Sequence, residues 1–81
     1  MRLDKFLKVS RILKRRSVAN EVCDAGRVSV NGRPVKASYQ VAVGDRLQVT
    51  MGERVQSYEV LSVTELPGKD AARDMYRVSD S

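Results

Sequence analysis

The residues of this chain best equipped for chemistry are its basic side chains. Arg2, Lys5 and Lys8 recur at three-residue steps, Arg11 and Lys14 continue the spacing, and Arg15-Arg16 ends the run with a doublet. A second group, Arg27, Arg33 and Lys36, flanks the stretch "VSVNGRPV". A guanidinium offers a planar fork that meets phosphate oxygens in pairs, and a lysine offers a point charge. The array therefore suits a polyanion held through its phosphates. Met1 to Lys36 holds ten basic residues against three acids, a charge of +7. Ala37 to Ser81 holds five basic residues against seven acids, −2, for a total of +5. A small chain with one strongly positive half points to nucleic acid as its partner.

Other chemistries lack their residues. The chain has no histidine, and its one cysteine, Cys23, allows neither an intrachain disulfide nor a cysteine metal cluster. Its carboxylates form no pair spaced for acid–base work, and there is no phosphate-cradling glycine loop of Walker type. The chain is therefore read as a binding protein and not an enzyme, with no cofactor and no metal. Cys23 reads as a small buried side chain. Phe6, Tyr39, Tyr58 and Tyr76 are too few and scattered for a base-stacking platform, so recognition should rest on phosphates and the shape of the nucleic acid. Asp4 is an acid inside the basic run, suited to stabilising a helix N-terminus or orienting Lys5 and a nearby arginine.

The elements that must position these groups follow from the apolar pattern. With 81 residues the chain is expected to be one domain, 1–81, with a small core. "RLDKFLKV" reads as an amphipathic helix with Leu3, Phe6 and Leu7 inward. Ile12 and Leu13 then pack in a tight turn. Ser17 is the expected N-cap of a second helix with Val18, Ala19, Val22 and Cys23 on its apolar face, and Gly26 its left-handed C-terminal residue. Val28 and Val30 alternate before Asn31-Gly32, the signature of a type I′ hairpin turn, and Pro34 restricts the returning strand to a short or edge position. A turn is expected at Gly44-Asp45, followed by a half-buried strand carrying Leu47, Val49 and Met51. After Gly52-Glu53, "RVQSYEVLSVT" reads as one long bent or bulged strand that ends at Pro67-Gly68. "KDAARDMY" reads as a short helix with Ala71, Ala72 and Met75 inward, then a frayed tail. The fold class is α+β: two short helices on a small, mainly antiparallel sheet, with a terminal helical turn. No secretion signal and no run of ~20 apolar residues is present, so a cytoplasmic protein without membrane attachment is expected.

These motifs, in this order, resemble the S-four RNA-binding domain family. They are the opening Arg2 to Lys5, then Arg16, Ala19, Val22, Cys23 and Gly26, the hairpin Val28 with Val30 to Gly32, and Val41, Gly44 and Asp45. The resemblance covers roughly residues 2–49 and leaves 50–81 as extra strands and a turn. Arg15 stands where the family often has a small residue, and Ala37 where it often has proline. The resemblance implies two helices meeting in an L-shaped basic surface that lies against structured RNA. It implies RNA contacts from Arg2, Lys5, Lys8, Arg11, Lys14, Arg15 and Arg16, extended by Arg27, Arg33 and Lys36. "MRLDKFLKVSRILKRR" and the late "AARDMY" further resemble the RqcP (YabO) group of bacterial ribosome-associated quality-control factors. That group implies binding to large-subunit rRNA and P-site tRNA, beside RqcH during alanine tailing of a stalled chain; the chain itself is expected to be a monomer. A general ribosome-assembly or heat-shock RNA-binding factor, and a basic adaptor for an acidic protein or membrane, are the alternative readings.

Overall fold

Leu3, Phe6 and Leu7 lie on one stripe of a helix, and their burial fixes the architecture. A computed structural model of the chain describes residues 1–65 and 68–79. Helix α1 (Leu3–Val9) and helix α2 (Arg16–Asp24) pack on each other and on one face of a five-stranded sheet. The strands are β1 (Val28–Val30), β2 (Arg33–Pro34), β3 (Arg46–Met51), β4 (Arg54–Val60) and β5 (Tyr76–Ser79), in the order β2-β1-β3-β4-β5. Every pairing is antiparallel. Helix α3 (Lys69–Arg73) precedes β5. One core cluster joins Leu3, Phe6 and Leu7 to Ala19 and Cys23 of α2 and to Val28, Val30, Leu47, Val49 and Val60 of the sheet. This is the α+β arrangement that the apolar periodicity predicts.

Two turns form as their sequences predict. Asn31 and Gly32 have φ of +52° and +85°, and Val30 pairs with Arg33 across them, so the hairpin is a two-residue type I′ connection. Pro34 ends a two-residue strand at the sheet edge, where its missing N–H leaves no ladder bond unmade. Gly26 follows α2 at φ +77°; its N–H donates to the Cys23 carbonyl and that of Arg27 to the Val22 carbonyl. That pair of bonds is a Schellman cap.

Elsewhere the structure departs from the sequence reading. Helix α2 starts at Arg16, with Arg15 as its extended N-cap and no capping side chain. Ser17, the expected cap, therefore lies inside the helix. Val18 is exposed because the buried stripe of so short a helix is the i, i+4 pair Ala19 and Cys23. Met51 alternates with Leu47 and Val49 but is exposed, since it sits at the hairpin end of β3, outside the core cluster. The long strand expected through Thr64 ends at Val60. There the β3 partner runs out into the Gly44–Asp45 turn, and the Leu61 and Ser62 amides donate instead to the Met75 carbonyl. Ala72 and Met75 of the last helical segment are buried, but Ala71 faces solvent. Residues 76–79 are not a frayed tail; Tyr76 and Val78, both good strand formers, belong to an edge strand paired with β4. The break expected at Pro67 and the last two residues of the tail lie outside the described residues.

Candidate nucleic-acid interface

The corner between α1 and α2 is built on Asp4. Its carboxylate is almost fully buried in the first turn of α1, and Oδ1 accepts the Lys5 backbone N–H at 2.8 Å. Arg2, the N-cap of α1, reaches it with Nε 3.2 Å from Oδ1 and Nη2 3.4 Å from Oδ2. Arg16, the first residue of α2, reaches the same group with Nη2 3.5 Å from Oδ1 and Nε 3.4 Å from Oδ2. Asn20, one turn further along α2 on the same face, donates to Oδ2 at 3.3 Å. This explains why Arg16 is helical: from the first turn of α2, its side chain and that of Asn20 converge on one acceptor. Burial opposes ionisation of Asp4. The hydrogen bonds from Arg2, Asn20, Arg16 and the Lys5 amide outweigh it and hold the carboxyl below its ordinary value.

Backbone pairing fixes the position of Arg2. The Leu3 amide donates to the Tyr39 carbonyl and the Val41 amide to the Met1 carbonyl, both at 2.8 Å, and Arg2 bridges to Gln40. The segment 39–41 is itself tied to the hairpin through Asp45. That carboxylate accepts from Tyr39 Oη at 3.0 Å, the Ala42 amide at 3.0 Å and Asn31 Nδ2 at 3.3 Å. Asn31 Oδ1 accepts in turn from the Arg46 amide at 3.0 Å. The hydrogen bond to the Asp45 carboxylate raises the Tyr39 pKa. Hairpin, Gly-Asp turn and chain start are thereby locked together.

The other basic residues fall into three groups. Lys8, Arg11, Lys14 and Arg15 are exposed along the end of α1 and the elbow, with no side-chain partner among the described residues. Arg11 turns that elbow at φ +66°, a conformation uncommon for a side chain of its size. Lys5 is half-buried and ion-paired to Glu65. Arg27, Arg33 and Lys36 belong to the far end of α2 and the hairpin. Lys36 Nζ donates to the carbonyl of Asp24, the last residue of α2, at 3.3 Å, roughly 12 Å along the helix from Arg16. The structure thus joins Arg2 to Arg16, sets Lys14 and Arg15 directly ahead of Arg16 in the chain, leaves Lys8 and Arg11 at the opposite end of α1 from Arg2, and ties Lys36 to the far end of α2. Asn20, Glu65 and the Tyr39–Asp45–Asn31 lock went unmarked in the sequence, and only the Asn-Gly and Gly-Asp dipeptides could have hinted at the last. Cys23 is buried beneath the corner; desolvation, then the Asp4 and Asp24 charges, push its thiol up to about 11. No cluster of metal-ligating side chains and no helix long and apolar enough to cross a membrane occur among the described residues.

Residues 1–47 match the model of the S4 domain. The chain belongs to this family. It is also 47% identical to the RQC P-site tRNA stabilizing factor of Bacillus subtilis, over 96% of this chain and 91% of that protein. The protein of the same name from Halalkalibacterium halodurans is likewise 47% identical, over 96% of this chain and 89% of its own length. Among solved structures, trimeric heat shock protein 15 of Vibrio cholerae superposes with a TM-score of 0.88 at 28% identity, covering 99% of this chain and 82% of that one. The S4 match includes α1, the elbow, α2 and the hairpin, so every basic residue singled out above lies within it.

Proposed function

We propose that this protein is an RNA-binding factor of bacterial ribosome-associated quality control, acting in the cytoplasm as a monomer. On this reading it binds the stalled large subunit through rRNA and P-site tRNA and holds the tRNA while RqcH-dependent alanine tailing proceeds. The observation that carries the reading is the paired Arg2 and Arg16, half-exposed at the corner of an S4 domain, within the chain's strongly positive half. The near full-length relatives named as P-site tRNA stabilizing factors support that place of action. The protein's part is positioning by charge, and the bond-making belongs to the ribosome. The RNA contacts are Arg2 and Arg16, then Lys8, Arg11, Lys14 and Arg15, with Lys5, Arg27, Arg33 and Lys36 at the margins.

Co-sedimentation with purified large subunits, with and without peptidyl-tRNA in the P site, tests this. Retention that requires the tRNA, fades with salt and is strongly weakened in a folded Arg2→Ala/Arg16→Ala variant is the expected result. Equal retention on empty subunits would favour a general large-subunit role, as the likeness to heat shock protein 15 allows. No retention on either would turn attention to an acidic protein or membrane.

A further inference from the structure

Asp4 places a full negative charge in the middle of a surface read as binding phosphate, and simple electrostatics would count it as a defect. Its geometry argues otherwise. The Asp4 side chain is 3% exposed, whereas those of Arg2 and Arg16 are 45% and 50% exposed. The acid is thus withdrawn while the two cations it holds are presented. Each guanidinium spends its Nε–Nη2 edge on Asp4, and its other edge has no partner among the described residues. Because both grip the same two oxygens, their other edges are fixed relative to each other, and Asn20 and the Lys5 amide fix the carboxylate in turn. A long side chain immobilised before binding loses less freedom on binding.

We propose that Asp4 is a positioning residue for phosphate recognition: its buried carboxylate holds Arg2 and Arg16 as one rigid phosphate-binding unit, so that removing this negative charge weakens RNA binding. The inference rests on the RNA-binding reading above. It adds that the two arginines act together and through an acid that itself touches no RNA.

The test is Asp4→Asn, measured against large ribosomal subunits carrying P-site tRNA at several salt concentrations. The expected result is affinity lowered about ten-fold despite the gain in positive charge. The salt slope should be unchanged, because both arginines remain. In an Arg2→Ala/Arg16→Ala background the same substitution should change affinity no further, whereas a general loss of fold would lower it there too. The Arg2 and Arg16 Nε–H signals in nitrogen–proton correlation spectra should be distinct in the parent and collapse to solvent-exposed positions in Asp4→Asn. Equal or tighter binding by folded Asp4→Asn, or unchanged arginine signals, would overturn the proposal. If Asp4→Asn does not fold, Asp4→Glu carries the test, since it keeps the charge and shifts the carboxylate by one methylene; parental affinity there would refute it. If the double arginine variant binds as tightly as the parent, the RNA-face reading fails first, and the inference with it.

Discussion

At the scale of single residues, Asp4 is ionised where burial alone would favour the neutral acid, and four donors reverse that preference. The consequence is a pH dependence of known sign. The carboxyl has a lower pKa folded than unfolded, where the ordinary value of 3.8 applies. Its ionised form therefore contributes stability at every pH above about that value, and the contribution is lost as pH falls through the lower folded value. Acid titration of the parent, followed by circular dichroism with urea melts at each pH, should show stability declining below about pH 3.8. Asp4→Asn should be less stable near neutrality and decline less steeply, with fewer protons taken up on unfolding, by at most one. Parallel acid limbs for the two proteins would mean that Asp4 does not carry this linkage. Other acids show why position matters more than residue type. Glu65 is exposed, and its pKa is lowered mainly by the hydrogen bond from Lys5, so it neutralises one cation without organising two.

Elements place these residues, and the cap after α2 sets where the hairpin begins. Gly26 stands at φ +77°, and a Cβ there would meet nothing within 4 Å. Gly26→Ala would then suffer the backbone penalty of the left-handed region alone, about 1–2 kcal/mol. Urea denaturation should report a loss of that size with an unchanged m-value, and a loss below a few tenths would show that the cap relaxes. This cap was legible because its chemistry is local: a glycine directly after an apolar-periodic run. The Asn31-Gly32 turn and the edge placement of Pro34 were legible for the same reason. The end of β4 was not, because it depends on where β3 begins, fourteen residues earlier in the chain. Strand β5 was missed since four residues carry too little alternation to be distinguished from a tail, and its pairing with β4 is set by tertiary contact. At the corner, the charged residues are legible one by one, and an acid inside the basic run suggests either a helix N-terminus stabilised or a neighbouring cation oriented. That Arg2, Arg16 and Asn20 share its two oxygens follows only from the packing of α1 on α2.

For the whole molecule, the decisive property is the separation of charge, +7 before residue 37 and −2 after it. On the proposed reading such a chain meets RNA with one side, and the number of phosphates neutralised is readable from salt. Contacts to four to six phosphates predict that log affinity falls against log salt with a slope of roughly −3 to −5. The slope also separates specific contacts from total charge. Replacing Arg2 and Arg16 together with alanine should make it shallower by roughly 2, since each phosphate contact contributes somewhat less than one. Replacing Arg54 and Arg73 with alanine lowers net charge by the same amount, but both lie outside the S4 match and in the acidic half. That variant should leave the slope unchanged, because it removes none of the proposed phosphate contacts. Binding to large ribosomal subunits at four or five salt concentrations measures all three slopes. If both double variants flatten the line equally, the attraction is a diffuse property of net charge, and the corner of α1 and α2 has no special part in it. A flattening confined to Arg2 and Arg16 would place the phosphates at that corner and make the polarity of the chain the reason it binds with one face.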